Sequence, residues 1–175
     1  MSSASARGRV IIYTGDGKGK TTAALGTALR AVGHGIGATV VQFVKAKACG
    51  EHAAAARLAP DLDLRLMGHG WVRGEATESD RSAAREALAE VRRLLSGGTG
   101  RMVVADEILT AVGLRLLARE DVEALVAGRP TGVHLVLTGR GAWPALVAQA
   151  DLVTEMRCVK HPHERGDGPQ QGIEY

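Results

Sequence analysis

The chain has 175 residues, 45% apolar and 23% charged, which fits one globular domain and excludes a disordered or fibrous chain. Its 22 Lys and Arg against 19 Asp and Glu leave a net charge of only +3, without the basic block or tail of a nucleic-acid binder. No run approaches the roughly 20 apolar residues of a membrane span, and "MSSASARGRV" has no signal-peptide core. The expectation is therefore a cytoplasmic single domain over 1–175, with 1–7 flexible and with neither nucleic acid nor membrane as partner.

In chain order, "VIIY" (residues 10–13) reads as a buried strand. The helix that follows, 20–33, sets Ala24, Leu25, Ala28, Leu29 and Val32 on one side and stops at Gly33. Between them lies "TGDGKGKTT". It nearly spells the phosphate-binding spacing G-x-x-x-x-G-K-[ST], but counting back from Gly19-Lys20-Thr21 puts Thr14 where the first glycine belongs, and Gly15 leaves a loop one residue short. Strand, loop and helix still supply the needed parts. Gly15, Gly17 and Gly19 let backbone N–H groups converge on phosphate, Lys20 brings an ammonium, and the Thr21 hydroxyl suits Mg²⁺.

"TVVQFV" (39–44) is a second buried strand by its β-branched content. "LDLRLM" (62–67) alternates with period two, predicting a strand with one wetter face. Residues 79–95 carry Ala83, Ala87, Leu88, Val91, Leu94 and Leu95 at helical spacing, ended by Gly97-Gly98. "MVVAD" (102–106) is a strand running into Asp106-Glu107, the acidic end that holds Mg²⁺ beside a phosphate loop. A helix over 120–128, a strand over 133–139, a short helix over 144–150 and an extended segment over 152–156 complete the pattern. Strands alternating with helices predict an α/β fold, a mostly parallel sheet covered on both faces, with ligands at the carboxyl ends of the strands. Arg140, in "TGRG" after one such strand, is either a phosphate clamp or a surface guanidinium.

The two cysteines build no disulfide framework. Cys49 with His52 and Cys158 with His161 each spell C-x-x-H, but the pairs lie far apart in sequence and lack a knuckle context, so small residues beside surface histidines are expected rather than zinc. The motifs alone establish Mg-nucleotide binding and no obvious group for positioning an attacking water.

Taken in order, "YTGDGKGKTTAALGTALRAVGHG", "VVQFVK" with Gly50-Glu51, "VVADEI", "LTGRG", "ADLVTEMRCVKHP" and "QGIEY" resemble the P-loop-type ATP:corrinoid adenosyltransferases over residues 8–175. The resemblance implies a P-loop NTPase-like (RecA-like) domain and a reaction in which Co(I) of a corrinoid attacks the 5′ carbon of ATP and triphosphate leaves. It implies that ATP lies reversed relative to other P-loop enzymes. Gly15, Asp16, Gly17, Lys18, Gly19, Lys20, Thr21 and Thr22 would hold the triphosphate, with Arg30 and Arg140 as further phosphate contacts. Thr21, Asp106 and Glu107 would take Mg²⁺ or Mn²⁺, and Lys20, Thr21 and Glu107 would form the catalytic set. The nucleophile belongs to the corrinoid, so no activated Ser or Cys is required.

The resemblance further implies a homodimer, a reduced corrinoid delivered with an electron-donating flavoprotein or reductase, and an apolar pocket that disfavours the lower axial ligand of cobalt. In "GHGWVRGE" (68–75) Trp71 matches the first aromatic of that pocket, Arg73 stands near where a second is expected, and His69 reads as a loop histidine. Ala46 and Leu109 also depart from the family pattern, which often has Gly and Asn there. Only about seven residues precede the first strand, predicting an open, weakly held corrinoid. Two alternatives are a carrier that binds ATP and corrinoid with little turnover and a conventional P-loop ATPase.

Overall fold

The computed structural model describes residues 7–72, 74–98 and 101–174. The flexible lead-in expected over 1–7 falls mostly outside the described residues, as do Arg73 and the terminal Tyr175. In order the chain forms β1 (Val10–Thr14), α1 (Lys20–Val32), β2 (Gly37–Gln42), α2 (Gly50–Ala56), β3 (Leu62–Leu66), α3 (Glu78–Leu95), β4 (Arg101–Asp106), α4 (Ile108–Gly113), α5 (Arg119–Ala127), β5 (His134–Thr138), α6 (Pro144–Gln149) and β6 (Leu152–Glu155), then a 3₁₀ turn (Pro162–Arg165). The strands make one six-stranded sheet in the order β3-β2-β4-β5-β1-β6. Every pairing in it is parallel. Thus β5 stands between the loop-bearing strand β1 and the acidic strand β4.

Alternation along the central strands sorts the core into two layers. Val40, Val104 and Val136 face α1, packing with Met102 and with Ala24, Ala28 and Ala31 of that helix. Val41, Val103, Ala105, Leu135 and Leu137 face the other way, into a larger core with α3, α4, α5 and α6. Burial on both faces is why β2, β4 and β5 read as continuous apolar runs.

Two details differ from the sequence reading. Leu29, expected on the inner side of α1, is 53% exposed. An alanine stripe at 24, 28 and 31 contacts the sheet instead, and small side chains let the helix lie close to it. The β3 strand is half-buried along both faces rather than wet on one, because it forms the edge of the sheet. Two short helices carried no periodic signal. α2 is largely a run of alanines, while in α4 Ile108, Leu109, Thr110 and Ala111 are all buried, leaving no polar stripe to read.

Candidate functional site

Polar residues end the three central strands on the face that α1 covers: Gln42 on β2, Asp106 on β4 and Thr138 on β5. Gln42 and Asp106 are register partners. The Asp106 carboxylate is the hub. Its Oδ1 accepts hydrogen bonds from Thr138 Oγ1 at 2.7 Å and Thr21 Oγ1 at 3.0 Å, and its Oδ2 accepts one from Gln42 Nε2 at 3.1 Å. Burial pushes this carboxyl up from the usual range, and the three donors work against that shift. Since the Thr21 hydroxyl gives its hydrogen to Asp106, its lone pairs are left for a cation.

Glu107 follows in the left-handed region, φ 64°, which is unusual for a residue with a side chain. Its backbone N–H donates to Thr138 Oγ1 at 2.8 Å, so one threonine orients both acids. Burial first, and the neighbouring Asp106 second, raise the Glu107 carboxyl above its ordinary value, while Lys20 opposes the shift.

Opposite these acids lies the shortened loop. Lys20 folds back, donating from Nζ to the carbonyls of Gly15 at 2.7 Å and Gly17 at 2.8 Å. Burial, then Arg140, lowers its pKa. α1 starts at Gly19, φ 111°, with no side-chain cap. Its first N–H groups are therefore available to an anion.

One expectation is corrected. The Gly17 N–H does not point toward a phosphate position; it donates to the Met156 carbonyl at 2.7 Å. The segment after β6 runs so close to the loop that a Cβ on Gly17 would lie 2.7 Å from the Arg157 carbonyl carbon, and one on Gly15 would lie 2.4 Å from the Met156 oxygen. These two glycines make room for the backbone of the segment after β6, which lies against the loop.

A cavity of about 890 Å³ opens at the carboxyl ends of the strands. One wall is residues 18–22 and the floor is Gln42, Asp106 and Glu107. Trp71, 61% exposed, and Ile173 of the C-terminal tail, 64% exposed, also line the cavity, and the tail's Glu174 stands 3.7 Å from Lys18. The Trp71 loop is fixed to the end of β2: Gly70 N–H donates to Val44 O at 2.8 Å, and Gly68 packs where a Cβ would meet Phe43 O at 2.4 Å. His69 is 53% exposed and stands 3.9 Å from Asp80.

Not every residue singled out reaches this cavity. Lys18, Gly19, Lys20, Thr21 and Thr22 line it. Asp16 points outward, with Arg140 4.0 Å away, which brings Arg140 to the loop's flank. Arg30 sits in the last turn of α1, about 15 Å of helix rise from Lys20, and does not line the cavity. Cys49 and His52 cap α2, with the Cys49 N–H donating to His52 Nδ1 at 3.0 Å, while Cys158 lies exposed beside Glu164. Among the described residues no three His, Cys, Asp or Glu cluster to hold a metal. A cation on the two site acids would draw on Thr21 and on ligand phosphates, a hard-oxygen set that suits Mg²⁺. Gln42 and the orienting role of Thr138 escaped the sequence reading. The signal was there in "VVQ", "VVAD" and "LVLT", each placing a polar residue at the last inward position of a strand.

Parallel sheet, phosphate loop and acidic strand end together define a P-loop NTPase-like nucleotide-binding protein. A solved structure agrees in fold. The genome-packaging NTPase B204 of Sulfolobus turreted icosahedral virus 2, in complex with AMP, matches with a TM-score of 0.51 at 14% identity, over 90% of this chain and 78% of that one. Sequence carries the assignment further. Residues 6–175 match the family model described as ATP:corrinoid adenosyltransferase BtuR/CobO/CobP, and the chain belongs to that family. It is 39% identical over 170 residues to a corrinoid adenosyltransferase of Escherichia coli K12, covering 97% of this chain and 86% of that protein. The corresponding protein of Pseudomonas aeruginosa is 37% identical over 171 residues, covering 97% and 84%.

Proposed function

We propose that this chain transfers the 5′-deoxyadenosyl group of ATP to the cobalt of a corrinoid reduced to Co(I), releasing triphosphate. The observation that carries the reading is the cavity itself. A phosphate-type wall, an acidic floor and exposed apolar side chains line one space, as a reaction that brings the 5′ carbon of a nucleoside triphosphate to the cobalt of a large, partly apolar ring system requires. Lys18, Gly19, Lys20, Thr21 and Thr22 hold the triphosphate, Gly15 and Gly17 shape the loop, and Arg140 closes its flank with Asp16 as partner. Lys20 leaves the Gly15 and Gly17 carbonyls to pair with phosphate. Arg30 is the member of the set that the cavity does not include.

Mg²⁺ or Mn²⁺ on Thr21 and Glu107, with Asp106 behind them, supplies positive charge against the departing triphosphate. The protein's contribution is alignment: the loop anchors the phosphates, which directs the 5′ carbon toward the corrinoid side. Trp71 packs against the corrinoid, and its exposed face favours a ring over the polar lower axial ligand. A Co(I) nucleophile has to be made by one-electron reduction, so the reading includes an electron-donating flavoprotein or reductase. A cytoplasmic location follows from ATP as co-substrate. A homodimer belongs to the same reading, supported by the β6 edge of the sheet, where Leu152 and Val153 are exposed.

The test is incubation with ATP, Mg²⁺ and chemically reduced corrinoid, followed by light-sensitive absorbance and by phosphate species. Adenosylated corrinoid with one triphosphate per turnover is expected. ADP with phosphate would instead identify a conventional ATPase, and product bound one-to-one without further turnovers would identify a carrier.

A further inference from the structure

Gln42 is 1% exposed, yet it lines the cavity beside Asp106 and Glu107. Its amide is half used. Nε2 donates to Asp106 Oδ2 at 3.1 Å, while the buried Oε1 has no hydrogen-bond partner. Chemistry fixes this orientation, since a flipped amide would set Oε1 against a carboxylate oxygen. Buried acceptors are seldom left unpaired unless a ligand or water completes them.

The side-chain donors nearby have other partners: Thr21 Oγ1 gives its hydrogen to Asp106, Lys45 is paired with Glu51, and Lys20, on loop carbonyls here, turns to phosphate when ATP binds. Triphosphate oxygens are acceptors and give Oε1 nothing. A water ligand of a divalent cation is different, because the cation makes its hydrogens stronger donors. We propose that Gln42 is a positioning residue of the metal site, its Oε1 accepting a hydrogen bond from a water on the cation that Thr21 and Glu107 hold. The assignment rests on the metal-triphosphate reading above. Gln42 thereby links the cation's hydration shell to the same carboxylate that orients Thr21.

The test measures Mn²⁺ binding from the resonance signal of free Mn²⁺, with inorganic triphosphate and separately with ATP, in wild type, Gln42→Leu and Gln42→Met. Both variants should bind Mn²⁺ about tenfold more weakly with either phosphate compound, as groups that orient metal ligands commonly do. Triphosphate affinity in EDTA should not change. Unchanged Mn²⁺ affinity overturns the proposal. So does a loss seen with ATP alone, which would make a ribose hydroxyl the donor, or an equal loss of metal-free triphosphate affinity, which would mean that Gln42 only supports the fold. Wild-type protein that holds no Mn²⁺ with triphosphate overturns the metal site itself, and with it this role.

Discussion

Gly17→Ala separates two reasons for a glycine in a phosphate loop. If Gly17 served only to expose an N–H to phosphate, alanine would weaken ATP binding and leave the unliganded protein as stable as before. The structure predicts otherwise. The added Cβ would sit 2.7 Å from the Arg157 carbonyl carbon, 2.8 Å from Met156 O and 2.9 Å from Arg157 O, against a normal contact of about 3.5–4.0 Å. All three are backbone atoms, so no side chain can swing aside. The 155–157 segment has to retreat by roughly 1 Å, lengthening the Gly17 N–H to Met156 O bond. Overpacking of this kind costs about 1–3 kcal/mol, which for a chain of this size lowers Tm by roughly 2–4 °C per kcal/mol. Thermal unfolding without nucleotide measures it, with Gly26→Ala as the opposite control. Gly26 lies in the interior of α1, and a Cβ added there would have nothing within 4 Å, so alanine should stabilise by about 0.5–1 kcal/mol. A Gly17→Ala protein that melts with wild type would refute the claim that the segment after β6 presses against the loop at Gly17.

Thr138→Val keeps the volume of a fully buried side chain but removes the donor to Asp106 and the acceptor of the Glu107 N–H. A loss of about 1–3 kcal/mol in denaturant unfolding is expected, together with weaker Mn²⁺ binding in the presence of ATP; wild-type values for both would sink the hub. Arg140→Ala should raise the KM for ATP several-fold and Arg30→Ala should leave it within twofold, because only Arg140 stands at the loop; the reverse order would show that α1's far end meets the nucleotide. Asp151 accepts hydrogen bonds from the Val10 N–H at 2.7 Å and from Arg9, and the Val10 bond is the main cause that holds its carboxyl below the usual value. A depressed carboxylate contributes stability above its unfolded pKa and loses it as pH falls through the folded one. The stability gap between wild type and Asp151→Asn should therefore be present at pH 7 and shrink in acid; a gap that does not vary with pH contradicts this.

The sequence alone determined the architecture, the phosphate-type loop and the acidic strand end. Strand-loop-helix around Lys20 and an acid-ended apolar strand are local patterns, each set by spacing within about ten residues, and residues 120–128 and 133–139 came out within a residue or so of α5 and β5. The match of residues 6–175 to one family follows from the same linear order. Tertiary structure decided what each part is for. Only strand adjacency puts Gln42, Asp106 and Thr138 in a row beneath Thr21, since β4 lies between β2 and β5 in the sheet while Asp106 is 64 positions from Gln42 and 32 from Thr138 in the chain. Only the pairing of β6 with β1 brings Met156 and Arg157 against Gly15 and Gly17. Arg30 stands in the last turn of α1, outside the cavity lining, because a helix cannot bend back toward its own start. Hydrogen bonds and close packing act over a few ångströms of space, and distance along the chain does not report which residues will share them.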